Sequence, residues 1–245
     1  MSRIGRRPLT ADQLADLEMH LRREDLEATV RTFAGRSINL GVKTARSQSY
    51  DHCYNYFADT KDPTADLEKS CGVLGFYLAS WGMYRGSTYL QQHTNSSHLI
   101  QTIRKIQNLR PTLAGIDLNN YSEGNIELVL SAYGAIKDAL QIRQRSQVTI
   151  VTKVMVAAFG CIPAFDRNFS QASRRALQPH ARLPHGRVDS DVLRMLAAFY
   201  RANRDDIEKL HLESRTVAFG TDTVTGHRLS RAKIVDMYFY ELGAN

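Results

Sequence analysis

The chain has 245 residues, enough for one large domain or two small lobes around a sizeable core. Hydrophobic residues make up 43% and charged residues 23%, and the formal net charge is +7, a balance that fits a polyanionic partner and argues against an acidic surface. Three scattered cysteines, Cys53, Cys71 and Cys161, cannot form a disulfide framework of the secreted kind or a four-cysteine zinc or iron–sulfur centre. They fit a reducing, cytoplasmic setting, and the expectation is a chain without metal or cofactor. The stretch "MSRIGRRPLT" is basic but lacks the apolar core of a signal peptide, and no apolar run reaches membrane-spanning length.

In chain order, the pattern is helical almost throughout. Thr10 and Gln13 form a capping box after Pro8, and helical periodicity continues to about Phe33. A second helix covers roughly Ser49 to Ala58. Asp62 and Pro63 have the types expected at an N-cap and first helical position. The helix they introduce carries Leu67, Cys71, Leu74, Leu78 and Trp81 as one stripe. "RGSTYLQQHTNSS" reads as a loop or short helix. Further helices are expected near His98–Asn108, Ser122–Arg143, Gln147–Phe159, Asp166–Leu177, Asp191–Leu212 and Ser230–Leu242. "TVAFGTDTV" reads as a short hairpin. The expected fold is an all-α, multi-helix domain over residues 1–245, in one body or two lobes.

The most informative stretch is "MVAAFGCIPAFDRNF", Met155 to Phe169. Its helix begins near Gln147. Val151, Val154, Met155, Ala158 and Phe159 share one face, and the spacing puts Lys153 opposite with Thr149 beside it. Gly160 suits a C-cap and Pro163 stops the helix. Asp166 then opens the next helix, either as a plain N-cap or as a carboxylate with a chemical task.

The order of these features, a helix ending "AFG", a short connection through proline and an Asp opening another helix, resembles the helix–hairpin–helix DNA glycosylases. The likeness is to members of the endonuclease-III and adenine-glycosylase type, over about 25 residues from Gln147 to about Gln171. The family's hairpin is glycine-rich, whereas "RQRSQVTIVTK" contains no glycine, so side chains of Arg143, Arg145, Gln147 and Thr149 would replace backbone donors to phosphate. The resemblance implies that Asp166 stabilises an oxocarbenium-like sugar while a flipped base leaves. Lys153, Arg167 and Asn168 would hold flanking phosphates. The Schiff-base lysine of bifunctional relatives would fall near Thr149, a full turn before Lys153, so the implied enzyme is monofunctional. Its partner would be double-stranded DNA with a damaged or modified base, including modified bases of bacteriophage DNA, with no membrane involved.

Two aromatic segments, "SYDHCYNYF" and "FYLASWGMYRGSTY", hold the residue types a base pocket needs. These are His52, Tyr54, Asn55, Tyr77, Trp81 and Arg85, although Trp81 also belongs to the apolar stripe. Two other readings compete. "RALQPH" places Arg175 and His180 in the R-x4-H spacing of the HEPN ribonucleases, where His180 would be the general acid or base and Arg175 would stabilise phosphorane charge. A non-enzymatic nucleic-acid-binding protein would need the positive charge and no particular Asp.

Overall fold

The computed structural model describes residues 18–39, 47–143, 147–177 and 187–244. It is mostly helical with one small two-stranded sheet. The helices are α1 (Leu26–Asn39), α2 (Gln48–Asp59), α3 (Leu67–Ser80), α4 (Tyr89–His93), α5 (Ile100–Leu113), α6 (Glu123–Leu140), α7 (Val148–Phe159), α8 (Arg167–Leu177), α9 (Ser190–Ala202), α10 (Arg204–Glu213) and α11 (Arg231–Ala244). The strands are β1 (Arg215–Val217) and β2 (Val224–Arg228), paired antiparallel with Val217 opposite Val224.

The buried apolar side chains form one cluster. At its centre is α7, in which every residue from Val148 to Ala157 except Thr149 is buried. A helix apolar all round belongs inside a core rather than on its surface. Helices α2, α3 and α6 pack against α7, while α11 lies against α8 and α1. The α3 stripe forms as expected, with Cys71, Leu74 and Leu78 buried.

Two expected long helices are each broken, and one residue accounts for both breaks. Asn203 is fully buried and separates α9 from α10. Its amide donates to the carbonyls of Leu21 and Phe199, both at 2.9 Å, and its oxygen accepts the Arg23 N–H at 2.7 Å. Residues 18–21 are helical, but the Arg23 backbone donor is spent on Asn203, so the chain leaves the helix and re-enters it at Leu26. The start of α3 also differs from the sequence reading. Asp66, not Asp62, is the N-cap and accepts Lys69 N–H at 2.9 Å. Asp62 instead closes a local turn through Thr64. The predicted capping box at Thr10 lies outside the described residues.

The hairpin is docked on α2 by side chains. Asn55 donates to Val217 O at 2.9 Å and accepts from the Thr216 hydroxyl, and Asp51 accepts Val217 N–H at 3.1 Å. Residues 51 and 55 are one helical turn apart, so they satisfy the outer edge of β1 as a third strand would.

Close packing of α11 on α8 depends on Gly243, where a methyl group would overlap the backbone carbonyl of Asn168. Gly134, inside α6, has open space around it. Gly243→Ala should therefore lower the unfolding free energy by about 1–3 kcal/mol. Gly134→Ala should raise it by roughly 0.5–1 kcal/mol. Urea unfolding of the two variants beside the native chain measures both signs.

Candidate functional site

The site forms where α7, the connection to α8, the end of α3 and α11 meet. Gly160 ends α7 in a left-handed conformation, φ 66°, and a Cβ there would meet Ser230 at 3.0 Å. The connection that follows is fixed by its backbone. Thr152 Oγ1 accepts Phe165 N–H and Thr149 Oγ1 donates to Phe165 O, both at 2.9 Å. Asp236 Oδ1, from α11, accepts Ala164 N–H at 3.1 Å. Asp166 is thus held from both neighbouring helices.

Both readings of Asp166 are realised at once, one on each carboxylate oxygen. Oδ1 accepts the Phe169 N–H at 3.0 Å and caps α8. Oδ2 lies 3.3 Å from Lys153 Nζ. The sequence placed Lys153 on a cationic outer face, and the structure corrects this. Its side chain is only 4% exposed, because α7 is enclosed on all sides. The ammonium sits 4.9 Å from the centre of the Trp81 ring. Burial pushes Lys153 below the ordinary lysine range, Asp166 and Asp236 oppose that shift, and the Lys233 charge adds to it. Lys233 lies 5.6 Å from the Trp81 ring centre and 4.5 Å from that of Tyr50, bonded to Asp236 at 2.6 Å.

A cavity of about 470 Å³ opens over this pair. Trp81, Tyr89 and Tyr240 supply flat faces to its lining, and Arg85, Arg167 and Asn168 supply polar groups. Trp81 and Tyr240 meet edge to face with centroids 5.5 Å apart. Thr149 and Ile142 also line it. Among the described residues, no group of three or more His, Cys, Asp or Glu side chains is arranged to hold a metal ion, and no helix is long and apolar enough to cross a membrane.

Of the residues singled out from sequence, Trp81, Arg85, Thr149, Lys153, Asp166, Arg167 and Asn168 line this one cavity. The others do not. Tyr77 is buried in the core against Tyr50. Asn55 is spent on the hairpin, and His52 packs on the Phe219 ring at 4.7 Å. Tyr54 lines a separate cavity beside Gly160 and His227. Gln147 folds back to donate to Ile142 O. Arg143 is exposed next to Ile142, and Arg145 lies outside the described residues. Arg175 is exposed on the last turn of α8, away from this cavity, and His180 also lies outside the described residues. Sequence reasoning missed Tyr240, Lys233 and Asp236. The signal for the last two is a lysine and an aspartate three residues apart in the otherwise apolar run "AKIVDMYF".

A comparison of the chain with protein-family models, curated proteins and solved structures finds no match in any of the three.

The carboxyl group of Asp51, behind the site on α2, is pushed by burial from the ordinary 3.8 to about 7, against the Val217 hydrogen bond and the Lys233 charge. A raised carboxyl means that the folded chain keeps a proton the unfolded chain gives up, so this group's contribution to stability declines as pH rises between those two values. Asp51→Asn keeps an acceptor for Val217 N–H and removes the titration. Urea midpoints at about pH 5 and pH 8 should therefore differ less for Asp51→Asn than for the native chain.

Proposed function

We propose that the chain is a base-excising hydrolase acting on DNA, with Asp166 as the group that stabilises charge on the sugar. The observation that carries this reading is the meeting of Asp166 Oδ2 and Lys153 Nζ, 3.3 Å apart, beneath a 470 Å³ cavity walled by Trp81 and Tyr240. Breaking an N-glycosidic bond needs a fixed carboxylate under the sugar and a pocket with flat faces for the displaced base. Asp166 is fixed by its cap and by Lys153, whose ammonium holds Oδ2 toward the cavity rather than free in solvent. Arg167, exposed in the cavity lining, and the exposed Arg143, next in sequence to the lining residue Ile142, suit backbone phosphates. In this reading α6, the turn after Leu140 and α7 are the divergent helix–hairpin–helix module, and water completes the reaction without a cofactor.

One observation favours a second mode. Lys153 stands beside Asp166 and not a turn away from the chemistry, and burial favours its neutral amine. A neutral amine could attack the sugar C1′ and expel the base, which leaves with the bonding electrons and takes a proton from the amine. The C1′–O4′ bond then opens, O4′ is protonated by water, and loss of a C2′ proton from the resulting iminium eliminates the 3′ phosphate. The two modes give different products, an intact abasic strand or a nicked one.

The test uses duplexes carrying a panel of damaged and modified bases. Asp166→Asn keeps the cap, since Asn caps as well as Asp, but leaves Lys153 without its paired charge and should be less stable. The folded variant should still bind DNA and should lose roughly a hundredfold or more in base release. Near-native release by the folded variant would remove Asp166 from the chemistry. Borohydride should trap no covalent adduct if water attacks. A trapped adduct that disappears in Lys153→Ala would establish the lysine mode.

A further inference from the structure

The cavity carries more positive charge than the Lys153 and Asp166 pair needs. Its lining holds three cations, Arg85, Lys153 and Arg167, and among the described residues one carboxylate, Asp166. Lys153 is committed to that carboxylate. Arg167 opens α8 beside the sugar position, where a phosphate suits it. Arg85 stands apart from both, on the turn that follows Trp81, and among the described residues its guanidinium has no hydrogen-bond or ion-pair partner.

That turn is built to hold it. Gly82 takes φ 78° and its N–H donates to Ala79 O, while Met83 N–H donates to Leu78 O, both at 2.9 Å. This pair of bonds is a Schellman cap, which ends α3 at Trp81 and turns the chain sharply. Thr88 then closes a second turn, accepting Arg85 N–H at 3.2 Å and donating its own N–H to Arg85 O at 2.9 Å. The guanidinium folds back over Gly82, where an added Cβ would lie 3.3–3.4 Å from Arg85 Nε, Cδ and Cζ. The missing side chain at Gly82 makes room for the fork, and the same cap fixes the Trp81 wall beside it.

Of the acceptors that a base bearing an exocyclic amine would need, Asn168 supplies one amide oxygen to the lining and most of the others are engaged. Thr88 Oγ1 already receives Arg85 N–H, Thr149 Oγ1 is bonded to Phe165 O, and the Asp166 oxygens are divided between Phe169 N–H and Lys153. Arg85 offers several donors in one plane. Such a fork matches two adjacent acceptors and gives nothing to a donor edge.

Resting on the base-excision reading, we infer that Arg85 selects the substrate: the excised base presents two adjacent in-plane acceptors toward the Trp81 wall. The O6 and N7 edge of a 6-oxopurine and a ring carboxylate are the two sources of that chemistry. Arg85 is a specificity residue here and takes no part in bond breaking.

The experiment measures single-turnover base release by the full chain from three matched duplexes. One carries hypoxanthine, one 5-carboxyuracil and one N6-methyladenine, whose N6–H donor beside N7 breaks the acceptor pair. The native chain should act on one or both of the first two faster than on the third. Arg85→Gln, at an exposed position and with unchanged melting temperature, should lose about tenfold or more on the preferred duplex and little on N6-methyladenine. Arg85→Lys keeps the charge without the fork and should restore only a small part of that loss. Preference for hypoxanthine assigns the ring edge, and preference for 5-carboxyuracil assigns the carboxylate. An equal loss on all three duplexes, with a shallower salt dependence of binding, would make Arg85 a phosphate contact and overturn the inference. Base release with a preference that Arg85→Gln leaves unchanged would overturn the inference alone. DNA binding by the native chain without release from any duplex would overturn the excision reading, and this inference with it.

Discussion

A lysine and an aspartate enclosed beneath an aromatic wall set the terms for the rest of this molecule. Taking Lys153 out of water costs free energy that a single, partly open carboxylate 3.3 Å away offsets only in part. The surroundings therefore have to be arranged around it. Trp81 offers its ring to the ammonium, Asp236 adds a second negative charge, and Lys233 sits close enough to need that same aspartate. Two lysines and two aspartates thus share one small region, so the removal of any one changes the field at the others. A chain that needed only stability would fill this space with apolar side chains. Under the proposed function the charges are kept here for the chemistry they support rather than for stability.

The connection between α7 and α8 is where this field becomes geometry. Its backbone donors and acceptors are claimed by Thr149 and Thr152 from one helix and by Asp236 from another. No part of Asp166's position rests on a freely moving loop. Its own cap bond ties the carboxylate to the first turn of α8, and Gly243 lets α11 come close enough to hold that turn in place. The order of elements that suggests a functional Asp is the order that makes this clamp buildable: a helix carrying Thr149 and Thr152, a left-handed glycine, a proline and a capped helix.

How much of this the sequence disclosed depends on the kind of signal. Helix type and most positions followed from periodicity, and the hairpin followed from turn residues between β-branched positions. The breaks at Arg23 and Asn203 did not, because neither residue ends a helix by its own propensity; a hydrogen bond across the fold ends both. Asp166, Trp81 and Arg85 converge as their types suggested. Lys153 was placed on the wrong side because "VTIVTKVMVAAF" was read as one-sided, when a helix with a single charge in twelve residues has no polar face to expose. Residue type alone groups His52, Tyr54, Asn55 and Tyr77, but His52, Tyr54 and Asn55 point from α2 toward the hairpin and a neighbouring cavity, and Tyr77 points from α3 into the core. Tyr240 carried no local signal. Its place depends on how α11 crosses the end of α3, which is a fact of tertiary packing alone.

Asp117 gives the fold a temporal order. Its two oxygens accept Leu118 N–H, Arg231 N–H and Ala232 N–H at 2.8–2.9 Å, so one carboxylate caps a short 3-10 turn in mid-chain and the first turn of α11. The residues it joins are more than a hundred positions apart. During synthesis the mid-chain turn emerges from the ribosome long before its partner. Until α11 emerges, the core on which it docks is uncovered, and the cavity lacks Tyr240, Lys233 and Asp236. The earlier helices can gather on the nascent chain, but the cationic, aromatic centre is completed only after α11 has been made. A nascent chain in which α11 is still unmade therefore holds Lys153 and Asp166 without the Tyr240 ring and the second ion pair that surround them in the folded chain.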